Sequence, residues 1–107
     1  MKIALEALDG DAAVLRLDGR LDAAAAPKVQ KSLEEALAQG RAHIAVDLDQ
    51  VSFIDSTGLG TLVSGLKASR RAEGNLRLVA PGAQVRKLLR LTTLDRVFTV
   101  SETLEGA

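Results

Sequence analysis

The sequence predicts a single α/β domain: a mixed, mostly parallel sheet opening with an antiparallel hairpin, in the order β-β-α-β-α-β-α-β-α. Three observations carry that expectation. Two short alternating segments at the amino end are separated by the turn residues Asp9-Gly10-Asp11. After them, apolar runs of strand length alternate with segments whose apolar residues recur every three to four positions. The 107 residues, 47% of them hydrophobic and uninterrupted by a linker or low-complexity tract, suit one domain over 1–107 with a core of its own.

The hairpin is predicted from Ile3 to Leu8 and from Ala13 to Asp18, after which Gly19-Arg20-Leu21-Asp22 is expected to leave the sheet. Pro27 is tolerated near a helix start, where its missing N–H costs nothing. Val29, Leu33, Ala36 and Leu37 then form one helical stripe, and Gly40 is placed to end it. His43 to Leu48 reads as a strand with Ile44, Val46 and Leu48 on one face. A second helix is expected to start at Asp55-Ser56-Thr57-Gly58 and run to Ala72, with Gly74-Asn75 as its stop. Leu76 to Ala80 is a buried-looking strand, and Pro81-Gly82 opens a helix marked by Val85, Leu88 and Leu89. Val97 to Val100 supplies the last strand. Ser101 is expected to cap a final short helix, giving about four helices.

Composition removes several classes of function. Lys and Arg number 14 against 14 Asp and Glu, so no net charge draws the chain to nucleic acid or to an anionic membrane. Phe53 and Phe98 are the only aromatic residues, too few for a base-stacking platform. There is no cysteine and one histidine, which leaves no metal-ligand set and no disulfide, and no cofactor is implied. No apolar segment is long enough to span a membrane, and Met1 leads straight into a strand-like segment rather than a signal peptide. A cytoplasmic domain is expected, monomeric when free.

The functional centre is placed at Phe53-Ile54-Asp55-Ser56-Thr57-Gly58. Asp55, Ser56 and Thr57 all make good N-caps, so the loop can be read as a plain helix start. The helix behind it favours a site. Leu59, Leu62, Val63 and Leu66 make an apolar face, while the opposite arc carries Gly60, Thr61, Ser64, Gly65 and Ala68, with Lys67 and Arg71 further along. Interior helical glycines cost about 0.5–1 kcal/mol each relative to alanine, so two on the outer side call for a reason, and a docking partner is the simplest. A phosphate on Ser56 would add nearly two negative charges at a helix N-terminus, which the helix dipole accepts and a partner fitted to a hydroxyl would not. Asp55 and Asp22, the latter at the carboxyl end of its own strand, would add to that negative charge.

Catalytic readings fail on the residues available. Gly60 to Lys67 has glycine spacing reminiscent of a P-loop, yet the lysine does not follow the second glycine, no Ser or Thr follows it, and the run lies inside the helix. A serine nucleophile wants a histidine base, and His43 stands at the opposite end of a strand from Ser56. Arg70-Arg71 and Arg86-Lys87 most simply solvate helix faces, with Arg71 available for docking.

Gly19-Arg20-Leu21-Asp22, Val46-Asp47-Leu48 and Phe53-Ile54-Asp55-Ser56-Thr57-Gly58-Leu59-Gly60 resemble the anti-sigma factor antagonists of bacteria, members of the STAS domain family. The resemblance extends through Val85-Arg86-Lys87-Leu88-Leu89 and Leu94 to Val100, essentially the whole chain. It implies a partner-switching module that is not an enzyme. Its unphosphorylated form would bind an anti-sigma factor that is also a serine kinase, releasing a sigma factor. ATP-dependent phosphorylation of Ser56 would end that binding, and a metal-dependent serine phosphatase would restore it. By the same resemblance Asp22 lies on the binding surface near the serine, and Gly58, Leu59 and Gly60 open the helix that meets the partner, beside Asp55, Thr57, Thr61 and Ser64. Two departures stand out: Ala23 to Ala26 where relatives often place a polar cap, and Thr93 where they often have glycine. The alternative is a STAS interaction subunit of a transport or other signalling complex without a sigma factor output.

Overall fold

The computed structural model describes residues 1–105. Its elements are β1 (Lys2–Ala7), β2 (Ala12–Leu21), α1 (Ala26–Ala38), β3 (His43–Ile54), α2 (Ser56–Arg71), β4 (Asn75–Val79), α3 (Ala83–Leu91), a 3-10 turn (Leu94–Arg96) and β5 (Thr99–Ser101). The strands form one sheet in the order β1-β2-β3-β4-β5, with β1 antiparallel to β2 and every later pair parallel.

The hairpin forms where the alternation predicts it, with Leu5 opposite Leu15 and Ala7 opposite Ala13. Its turn is closed by the Leu8 N–H donating to the Ala12 carbonyl at 3.0 Å. Arg41, beyond α1, donates to the carbonyls of Leu8 (2.8 Å), Gly10 (3.0 Å) and Ala12 (2.9 Å), tying the turn to the start of β3. Because the strand order never reverses, repeated right-handed crossovers place the helices on one side of the sheet. The core lies between them. Leu15, Leu17, Ile44, Val46, Leu48, Leu76 and Leu78 of the strands meet Val29, Leu33, Leu62, Leu66, Val85 and Leu89 of the helices. The opposite sheet face is polar at one side, where Arg16 reaches both Glu6 and Asp47. Elsewhere on it Val14, Ala45 and Val79 are buried beneath Leu8 and Leu104.

Several boundaries differ from the sequence expectation, among them the last strand, which begins at Thr99 rather than Val97. Strands β2 and β3 run past Asp18 and Leu48, so that Gly19-Arg20-Leu21 stays in the sheet and Leu21 pairs with Ile54. Register shifts after Arg16 and after Gly19 break the alternation, and polar Asp49 and Gln50 follow, so the continuation is masked in the sequence. Asn75, expected as part of a helix stop, begins β4. Ser101 belongs to β5, and residues 102–105 form bends rather than the final helix expected there. Among the described residues the helices number three, with the 3-10 turn as the fourth helical element.

The two departures noted in the sequence have distinct structural outcomes. Ala25 caps α1 without a side-chain bond, and Asp22 takes over: its carbonyl accepts from the N–H groups of Ala25 (3.1 Å) and Ala26 (2.9 Å), and its carboxylate from Ala25 (3.1 Å). Thr93 sits at φ +59°, a left-handed conformation that a β-branched residue adopts only under strain. Its side chain is exposed, so glycine there relieves strain while removing little packing. Thr93→Gly is expected to raise stability by about 0.5–1 kcal/mol and the melting temperature by several degrees in thermal unfolding.

Candidate functional site

The site is built where β2 and β3 end side by side. Leu21 and Ile54 are both fully buried and pair as the last residues of their strands. The chain leaves β3 through Asp55, held extended (φ −106°, ψ −178°), with its N–H donating to the Leu21 carbonyl at 3.3 Å. Asp55 is the N-cap of α2: its carboxylate accepts from the Gly58 N–H at 2.7 Å and its carbonyl from the Leu59 N–H at 2.9 Å. Of the three candidate caps the first is the one used, so helix α2 starts at the earliest of the positions they allowed. Ser56 is its first residue, exposed, and no described residue accepts a hydrogen bond from its hydroxyl.

Gly58 is the tightest point of the site. A Cβ there would stand 2.1 Å from the Leu21 carbonyl oxygen and 2.8 Å from Leu21 Cγ. Only glycine lets the first turn of α2 press against the end of β2, and that contact holds Ser56 above both strand ends. Gly60 is different. It is exposed, and a Cβ added there would meet nothing within 4 Å.

The arc expected to face a partner divides in two. Gly60 and Ser64 face solvent, as do Ser56 and Thr57. Thr61 and Gly65 turn inward instead: Thr61 is buried with its hydroxyl donating to the Thr57 carbonyl at 3.3 Å, and a Cβ on Gly65 would come within 2.8 Å of Leu33 of α1. The glycine at position 65 thus answers to helix–helix packing within the molecule, correcting its assignment to an outer face. Leu59 is likewise a core residue, 4% exposed. Between the two helices lies a groove of about 170 Å³, walled by Gln30, Leu33 and Leu37 on one side and Thr61, Ser64 and Ala68 on the other.

Asp22, expected near the serine, follows directly on Leu21, whose carbonyl receives Asp55 and touches Gly58. The structure also shows contacts that the sequence did not announce, and brings in Gln84, which it did not single out. The Arg20 guanidinium lies 4.3 Å from the centre of the Phe53 ring and 3.8 Å from the Asp22 carboxylate. Pairing of Arg20 with Phe53 depends on the register shift after Gly19, which no local pattern announces. Gln84 of α3 forms two hydrogen bonds with the Ile54 backbone from thirty positions away. His43 is exposed at the far end of β3, 3.6 Å from Asp11, so it takes no part in the loop.

Nothing in this arrangement makes Ser56 a nucleophile. Among the described residues no group of three His, Cys, Asp or Glu side chains is placed to hold a metal, and no helix is long and apolar enough to cross a membrane. The sheet also lacks the reversal of strand order at which open α/β sheets form a ligand crevice. The strand-end loop is a surface, not a pocket.

The family model of the STAS domain matches residues 2–107. The chain belongs to the STAS domain family. An anti-sigma-B factor antagonist of Listeria monocytogenes is 30% identical over 106 residues, covering 99% of this chain and 92% of that protein. A Mycobacterium paratuberculosis anti-sigma factor antagonist superposes with a TM-score of 0.86 at 28% identity, over 97% of this chain and 87% of the other. The anti-sigma factor antagonist SpoIIAA in its unphosphorylated form gives 0.85 at 27% identity, over 97% and 90%. The phosphorylated form of SpoIIAA, a Bacillus cell fate determinant, gives 0.78 at 26%, over 97% and 94%. Anti-sigma factor antagonists are regulatory binding proteins rather than enzymes.

The two glycines separate architecture from surface. In urea unfolding, Gly58→Ala is expected to lose about 2–3 kcal/mol of stability, because either Leu21 or the helix must move. Gly60→Ala is expected to gain about 0.5–1 kcal/mol, as an exposed helical glycine with open space should.

Proposed function

We propose that this protein is an anti-sigma factor antagonist whose binding is switched by phosphorylation of Ser56. The observation that carries the reading is the Ser56 hydroxyl itself: exposed, unbonded, and held at the first position of α2 by the Asp55 cap and the Gly58 contact. Such a hydroxyl is accessible to another protein's active site while its own surroundings supply no base. The existence of SpoIIAA in phosphorylated and unphosphorylated forms supports a switch of this kind in a related chain.

In this reading the unphosphorylated surface docks an anti-sigma factor with serine kinase activity, so that a sigma factor is released. Asp22, Thr57, Gly60 and Ser64 join Ser56 on that surface, while Asp55, Gly58, Leu59 and Thr61 set the position of the helix that presents it. The kinase transfers the γ-phosphoryl group of ATP to the Ser56 oxygen, which loses its proton as ADP departs. The added charge sits at a helix N-terminus, where the dipole and the free N–H groups of the first turn accept it. The same charge beside Asp22 and Asp55 opposes a partner shaped for small neutral groups. A serine phosphatase hydrolyses the ester and restores docking. No cofactor enters, and the free protein is monomeric in this account.

The test compares wild type with Ser56→Asp as baits against cytoplasm of the source bacterium. Capture of a serine-kinase anti-sigma factor by wild type alone is the expected result. Equal capture by both baits contradicts the switch and favours a STAS docking subunit of another complex. With the captured kinase and ATP, intact mass is expected to rise by one phosphate in wild type and not in Ser56→Ala. Gly60→Ala, though more stable, is expected to bind at least about tenfold more weakly, because that glycine sits under the partner.

A further inference from the structure

The carboxyl half of β3 is flanked on one side only. Strand β4 pairs with His43 to Asp47 and ends there, while β2 continues alongside to Ile54. On the uncovered side the Ile54 N–H donates to Gln84 Oε1 at 2.9 Å, and Gln84 Nε2 donates to the Ile54 carbonyl at 3.0 Å. One carboxamide thus takes the place of a neighbouring strand at the residue before Asp55. Gln84 lies in the first turn of α3, just after its Gly82 cap. That turn is itself braced by Arg86, which donates to the Pro81 carbonyl (2.9 Å) and the Glu102 carboxylate (2.6 Å).

We propose that Gln84 is a positioning residue for Ser56: by clamping Ile54 from α3 it fixes where the phosphoacceptor stands. The proposal rests on the reading of Ser56 as acceptor. The root of the loop is held from two flanks, by the Leu21 carbonyl on the β2 side and by Gln84 on the α3 side. The β2 hold is backbone and shared with the sheet. The α3 hold is a single side chain, otherwise exposed, whose removal leaves the core intact. Asparagine is one methylene too short for the same reach, and methionine keeps the shape without either bond.

Amide exchange by NMR on wild type, Gln84→Ala and Gln84→Met tests the clamp without any partner. Both variants are expected to speed exchange at Ile54 by about tenfold or more, with Val46 in the middle of the same strand unchanged. Unchanged exchange at Ile54, or equal acceleration at Val46, overturns the clamp. A second arm uses the anti-sigma factor kinase captured above, with ATP. The docking face on α2 is untouched, so KM for the protein is expected to hold while kcat falls about tenfold in Gln84→Met, because the hydroxyl wanders from the attacking position. Faster Ile54 exchange with kcat unchanged refutes the positioning role. Wild type that takes no phosphate refutes the acceptor reading instead, and the exchange data then judge the clamp alone.

Discussion

The fit of Gly58 against the Leu21 carbonyl is the constraint on which the site depends. It brings the start of one helix onto the end of a strand formed more than thirty residues earlier, closer than any side chain permits. Two further interactions accompany that approach. Asp55 donates its N–H to the same carbonyl, and its carboxylate closes the first turn on the Gly58 N–H, while Ser56 is left at the rim with no hydrogen-bond partner among the described residues. The local cost is the conformational freedom that glycine surrenders in a helix. Burial of Leu21, Ile54, Leu59 and Leu62 offsets it, since all four are close to fully enclosed in the core beneath the loop.

The surface that results suits recognition better than catalysis. Its polar groups are either committed to holding the backbone, as in Asp55 and Gln84, or free at the rim, as in Ser56 and Ser64. Arg20, stacked on Phe53 and facing Asp22, adds a cation beside the strand ends. A phosphate on Ser56 changes the charge of this rim by nearly two units without breaking a bond that holds the loop. In the proposed switch, sensitivity of binding and insensitivity of fold would come from the same separation of roles.

Much of this was legible in the sequence because the signals are local. The hairpin, the alternation of strands and helices, and the Asp55-Ser56-Thr57-Gly58 start of α2 follow from short-range periodicity and capping chemistry. What the sequence hid depends on distance. The extension of β2 to Leu21 is concealed by two register shifts and a polar stretch, and the pairing of Arg20 with Phe53 follows only from that extension. A helical wheel sets Gly60 and Gly65 on one arc, yet only the position of α1 shows that Gly65 is inside and Gly60 outside. Gln84 carries no mark in its neighbourhood because its partner is a backbone group of another element. The final helix expected after Ser101, absent among the described residues, is the reverse case, where a good capping residue instead ends as the last residue of an edge strand.

The claim that matters most is that phosphate acts on docking and not on folding. One preparation, phosphorylated to completion on Ser56 and compared with its untreated half, decides it through paired measurements of urea unfolding and affinity for the anti-sigma factor. The account requires unfolding free energy to stay equal or rise slightly, by up to about 1 kcal/mol at a helix N-terminus, while affinity falls at least about a hundredfold. Loss of stability together with loss of binding, or affinity left intact, would contradict it.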